Sequence, residues 1–202
     1  MIGVVDYEAG NLKSVETALA RLGVPFRIID SGDLVGSVDR LIIPGVGEAA
    51  HCMEVLRRRN LDEPIREFYR SGRPMLGICL GSQVVLERSE EGDARCLGLI
   101  PGGAVQFPEA LGEKIPHMGW NVVTPRNGQW LFAGLPRETS FYFVHSYYPN
   151  PDNQEAVAAT AEYGGLTFPA AIERENLVAT QFHPEKSGEF GLRMLTNFLE
   201  RR

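Results

Sequence analysis

In the stretch MLGICLGSQVVLE, Met75 to Glu87, one cysteine sits between Gly77 and Gly81, where an apolar run gives way to a helical pattern. A G-x-C-x-G turn between strand and helix has the form of a nucleophile elbow, which holds a reactive side chain clear of its neighbours. Glycine lacks a Cβ, so strand and helix can approach closely around Cys79. The backbone N–H of Leu80 and the positive end of the helix that follows favour a thiolate and an oxyanion. The competing reading is a buried structural cysteine beside turn glycines; the strand before and the helix after weigh toward chemistry.

A thiol nucleophile needs a base, and the chain holds His51, His117, His145 and His183. His51 lies in an expected helix and reads as a surface residue. His117 in IPHMGW and His145 in FVHSYY suit structural or substrate-facing positions. His183 differs: QFHPEKS puts it at the end of a strand-like run with Glu185 two residues on, and in an extended segment those side chains point the same way. Glu185 would then fix the tautomer and direction of the imidazole, as catalytic triads require. For the second oxyanion donor, PGVGEA at 44–49 offers the backbone N–H groups of Val46 and Gly47 after a strand; it lacks the lysine and hydroxyl of a phosphate loop.

The elements that must position these groups are expected to form an α/β fold. IGVVD (2–6), FRIID (26–30), RLIIP (40–44) and PMLGI (74–78) read as buried strands, separated by helical patterns at 11–23 and near 48–70, a βαβ series. After about residue 96 the runs VQF, NVV, FYFVHSYY, AVAATAEY, PAAIE and LVATQF read as antiparallel additions, and Gly188–Arg202 as a final amphipathic helix. The expected architecture is a mostly parallel central sheet with helices on both faces and antiparallel additions in the C-terminal half, forming a single domain over 1–202.

Composition narrows the function classes. With 26 acidic and 20 basic residues, a net charge of −6 and no basic block, nucleic acid is an unsuitable partner. The three cysteines are widely spaced without a C-x-x-C pair, so neither a metal nor a redox disulfide is expected, and a reducing compartment is. With no signal-peptide pattern and no apolar run near membrane-spanning length, a cytoplasmic protein is expected.

Taken together, GICLGSQ with Cys79, HPE with His183 and Glu185, and PGVG before a helix resemble the class I, or triad, glutamine amidotransferases over nearly the whole chain. Within that class, DYEAGNLKSV (6–15), PGVGEA, KIPHMGWN (114–121) and FVHSYY (143–148) are similar to the glutaminase subunits of imidazole glycerol phosphate synthases. Ser82 departs from the pattern, since many relatives carry methionine there; Gln83 keeps its place. The resemblance implies that Cys79 attacks the glutamine side-chain amide, that His183 oriented by Glu185 moves protons, and that Leu80, Val46 and Gly47 hold the oxyanion. It implies a glutamine-binding set of Gln83, Glu91, His145, Ser146 and Tyr147, and no cofactor. It further implies a cyclase subunit as partner in a heterodimer, which receives the ammonia and makes imidazole glycerol phosphate and AICAR in histidine biosynthesis. Asn11, Met118 and Trp120 are the expected docking residues, with a core role for Trp120 equally open. The alternatives are the glutaminase of anthranilate or pyridoxal phosphate synthesis, or a noncatalytic domain with a reactive cysteine.

Overall fold

The computed structural model describes residues 1–8 and 12–201, so Asn11 lies outside the described residues. Strands β1 (Ile2–Val5), β2 (Phe26–Ile29), β3 (Arg40–Ile43) and β4 (Met75–Ile78) are interleaved with helices α1 (Leu12–Arg21), α2 (Gly32–Val35), α3 (Ala49–Arg58) and α4 (Asp62–Arg70). A short helix α5 (Leu80–Val84) follows β4. The remainder is strand-rich: β5 (Arg88–Ser89), β6 (Ala94–Arg95), β7 (Gly102–Gln106), β8 (His117–Pro125), β9 (Thr139–His145), β10 (Tyr147–Pro151), β11 (Val157–Tyr163), β12 (Leu166–Arg174) and β13 (Leu177–Thr180), closed by α6 (Gly188–Glu200).

The main sheet has nine strands in the order β2-β1-β3-β4-β13-β12-β11-β8-β9. Pairing is parallel from β2 to β13 and antiparallel from β13 to β9. Alternation along the parallel strands sends side chains to two cores. Ile2, Val4, Ile42, Leu76 and Ile78 pack with Val15 and Leu19 of α1 and Leu195 and Phe198 of α6. On the opposite face Val5, Leu41, Ile43 and Met75 pack with Val55 and Leu56 of α3 and Ile65 and Phe68 of α4. Helices therefore cover both faces of the parallel half. None of the described helices is long and apolar enough to cross a membrane.

Three of the expected antiparallel additions behave differently. LVATQF supplies β13, which pairs in parallel with β4 as well as antiparallel with β12, and all four of its residues are buried. A continuous apolar run of this kind marks a central strand, because both of its faces are covered. VQF and the end of FYFVHSYY leave the main sheet altogether: the chain bends at Ser146, whose carbonyl accepts from Phe107 N at 3.0 Å, and β10 then pairs with β7 in a separate four-stranded sheet.

Candidate active site

Three neighbouring parallel strands carry the candidate groups at their C-terminal ends, where open α/β sheets place their ligands. Central β4 runs into Cys79; β3 on one side runs into Pro44–Gly47, and β13 on the other into Gln181–Glu185. Cys79 N donates to Thr180 O at 2.7 Å, extending the β4–β13 ladder by one step and fixing where the turn begins.

At that turn Cys79 adopts φ 53°, ψ −108°, a backbone conformation that side-chain-bearing residues rarely occupy. The glycines are needed for close approach: a Cβ on Gly81 would stand 2.0 Å from Ile43 O, and one on Gly77 would stand 2.9 Å from the Ala179 Cβ. Held strain of this kind costs on the order of 1–3 kcal/mol. Cys79→Gly is accordingly expected to be more stable than Cys79→Ala by about 1 kcal/mol in urea unfolding, because glycine alone is at ease there. Equal stability of the two variants would remove the strain.

The imidazole of His183 is fully buried, its Nδ1 2.7 Å from Glu185 Oε1, and both side chains are excluded from solvent. The expected route to this contact, an extended segment, is not the one found: Pro184–Lys186 forms a 3-10 turn opened by proline, which brings Glu185 back onto Nδ1. Burial opposes a charge on His183, but the sulfur of Cys79 beside it, a hydrogen bond to Cys79 and the Glu185 carboxylate together hold its pKa well above the usual value. With Nδ1 on Glu185, the Cys79 contact falls to Nε2. The arrangement is a thiol and an imidazole held side by side, the imidazole oriented by a carboxylate.

A cavity of about 240 Å³ opens beside the sulfur, lined by Val46, Gly47, Cys79, Leu80, Gln83, Glu91, Pro116, Val144, His145, Ser146 and Tyr147. Every expected oxyanion and glutamine-binding residue thus faces one space. Gly47 has φ 109°, open to glycine and closed to most other residues. Gln83 donates from Nε2 to Tyr147 O at 3.0 Å, while its buried Oε1 has no partner among the described residues. Glu91 accepts from Ala49 N at 2.9 Å; burial raises its pKa, against that hydrogen bond and with the nearby charge of Glu48.

His145 lines the cavity, yet both its ring nitrogens are engaged within the fold. Nδ1 donates to Tyr147 O at 2.8 Å and Nε2 accepts from His117 Nδ1 at 2.9 Å; Asn121 Nδ2 completes the chain at 3.3 Å from His117 Nε2. Burial pushes His145 down to about 3 and His117 down to about 4, so both rings stay neutral at pH 7. His51 is exposed on α3.

Sequence reasoning missed Tyr7 and Gln181. The buried Tyr7 hydroxyl donates to Pro44 O at 2.7 Å and would lie 2.2 Å from a Cβ on Gly45, pinning the segment that leads to Val46. Gln181 Nε2 lies 3.6 Å from Cys79 Sγ. One signal for Gln181 was present: it precedes His183 by two residues at a strand end, the spacing that puts two side chains on one side. Met118 and Trp120 lie on β8 and are 63% and 60% exposed, which decides against a core role for Trp120. Among the described residues no cluster of His, Cys, Asp or Glu is arranged to hold a metal.

Residues 3–201 match the family described as glutamine amidotransferase class-I. The imidazole glycerol phosphate synthase subunit HisH of Desulfitobacterium hafniense is 47% identical over 98% of this chain and 93% of that protein. Its namesake in Syntrophotalea carbinolica is 47% identical over 98% of both chains. Among solved structures, PurLQS from Thermotoga maritima superposes with a TM-score of 0.77 at 18% identity, covering 98% of this chain and 96% of that one, a likeness of fold alone. With the family match over nearly its whole length, this chain belongs to the class-I glutamine amidotransferases.

Proposed function

We propose that the chain is the glutaminase subunit of an imidazole glycerol phosphate synthase, hydrolysing glutamine to glutamate and ammonia through Cys79, His183 and Glu185. The observation that carries the reading is the convergence of the elbow sulfur, two glycine-permitted backbone donor segments and a polar binding wall on one cavity. The Cys79 thiolate attacks the side-chain carbonyl carbon of glutamine, and the oxyanion forms against the N–H groups of Leu80 and of Val46 or Gly47. His183 gives its proton to the amide nitrogen, the C–N bond breaks, and ammonia leaves a thioester. Water then attacks as His183 takes its proton, and glutamate departs with the electron pair returned to sulfur.

The free amino acid brings a fixed ammonium and carboxylate. Gln83 Oε1, a buried acceptor in need of a donor, and the Glu91 carboxylate suit the ammonium; N–H and O–H groups around Ser146 and Tyr147 suit the carboxylate. His145 supports this wall through the Tyr147 carbonyl. The ammonia passes to a cyclase subunit docked over the Met118–Trp120 face, which makes imidazole glycerol phosphate and AICAR in histidine biosynthesis. The three free cysteines suit a reducing, cytoplasmic setting. A noncatalytic sensor has no use for a carboxylate-held imidazole beside its thiol.

An electrophilic glutamine analogue tests the site. Peptide mass spectrometry is expected to find the adduct on Cys79 and not on Cys52 or Cys96. Burial, with the neighbouring Cys96, raises the pKa of Cys52 far above the thiol range, and burial pushes Cys96 up to about 11. Label spread evenly over the three thiols, or missing from Cys79, would sink the assignment.

A further inference from the structure

We propose that Gln181 is a second donor to the reacting sulfur, its side-chain N–H holding Cys79 Sγ as an anion before attack and again as thioester breakdown returns the electron pair to it. The inference rests on Cys79 being the nucleophile. Gln181 is fully buried, with Nε2 3.6 Å from Sγ. Which end of its amide faces the sulfur is set from a distance. Tyr147 O is a backbone carbonyl and only accepts, so the Gln83 atom 3.0 Å from it is the nitrogen. That same Gln83 nitrogen lies 3.0 Å from the Gln181 side chain and requires an oxygen there, which turns the Gln181 N–H toward Cys79. Ser82 Oγ stands 3.4 Å from the Gln181 oxygen but spends its one proton on Cys79 O at 2.7 Å. Gln181 N donates to Ala170 O at 2.8 Å, so the main chain is anchored too.

The sulfur also meets groups of other character. Val144 O lies 3.9 Å away and accepts, favouring the thiol, so an opposing donor has a purpose. The titratable groups that face this site are His183 after β13 with Glu185 behind it, Tyr7 after β1, His145 at the end of β9, and Tyr147 and Glu91 across the cavity. His183 surrenders its proton to the departing ammonia and is neutral while the thioester stands. The Gln181 amide has no proton to lose. When water attacks, the new C–O bond forms, the C–S bond breaks, and sulfur regains its charge beside a donor that never left.

The test is the pH profile of Cys79 alkylation by chloroacetamide, a neutral electrophile, in the full chain, with adducts mapped by mass spectrometry. Gln181→Met keeps length and loses the donor; Gln181→Glu keeps the shape and sets a carboxylate beside the sulfur. The midpoint is expected to rise by about one pH unit in the methionine variant, from the usual worth of a hydrogen bond to a charged group, and further in the glutamate variant. A purely structural role predicts lower stability with an unmoved midpoint, so equal midpoints in wild type and in either folded variant overturn the role of Gln181. Alkylation of the wild type at Cys52 or Cys96 in place of Cys79 overturns the nucleophile itself, and the two failures are read apart.

Discussion

Cys79→Ala and His183→Ala are each expected to lower the glutaminase rate by on the order of a thousandfold or more, and the double variant to be little worse than either. The two side chains act as one unit, so removing either partner removes the unit. Without Cys79 no thioester forms; without His183 the sulfur has no partner to accept its proton and the amide nitrogen has no acid. Glu185→Gln is expected to cost less. The amide can still accept from Nδ1 at a contact that is 2.7 Å in the parent, but it brings no charge. Glu185 helps to raise the His183 pKa, so its loss lowers that pKa, and the variant loses its protonated imidazole at a lower pH than the parent. His145→Ala is expected to raise the glutamine KM chiefly, because its ring supports the Tyr147 carbonyl and does not face the sulfur with an open nitrogen. Steady-state kinetics separate the two histidines: a loss at His145 as complete as that at His183 would falsify the choice of base.

The elbow was legible because its parts lie within a few residues, where a strand, two glycines and a helix start state their own geometry. PGVG and HPE were legible for the same reason. What joins them was not, since it depends on β3, β4 and β13 lying side by side, and strand order leaves little trace in local pattern. LVATQF shows the difficulty: its apolar residues announce a strand, but only adjacency to β4 makes it parallel and central. Gln181 and Tyr7 escaped because each acts on a residue distant in sequence, Gln181 on Cys79 and Tyr7 on Pro44. His145 was read as substrate-facing from its segment, and the buried His117 partner that occupies its second nitrogen comes from a neighbouring strand. The run FYFVHSYY reads as one strand, but the chain turns a corner at Ser146 between two sheets, and Ser146 and Tyr147 line the cavity there.

The isolated chain is expected to be a poor glutaminase, stimulated roughly 5–150-fold or more when a cyclase subunit with its phosphorylated ligand docks, within or above the usual range of coupling between sites. The face that would receive the cyclase is built from β8. Met118, Trp120 and Val122 alternate outward along it and are 63%, 60% and 40% exposed, an apolar row of the kind that marks an interaction site. Register ties this row to the site: Met118 pairs with Val144 and Trp120 with Tyr142 on β9. Val144 lines the cavity with its carbonyl 3.9 Å from the sulfur, and Tyr142 O accepts from His183 N at 2.9 Å. Pressure on the outer row therefore reaches backbone groups that touch both nucleophile and base. On the other rim, Gly47 sits at φ 109°, which glycine reaches without strain, so a peptide rotation in the oxyanion segment is expected to cost little and docking to favour the productive arrangement. Trp120→Ala is expected to weaken association by about 2 kcal/mol or more, as loss of an aromatic anchor does, and to cut stimulation sharply at cyclase concentrations that just saturate the parent. The same variant should leave Cys79 alkylation in the isolated chain unchanged, because Trp120 does not line the cavity. Glutaminase assays over a range of cyclase concentrations, with and without ligand, run on parent and variant, read association and stimulation, and adduct mapping by mass spectrometry reads the alkylation. Full activity in the isolated chain, indifferent to any partner, would make this an independent amidase whose exposed β8 row serves some other contact.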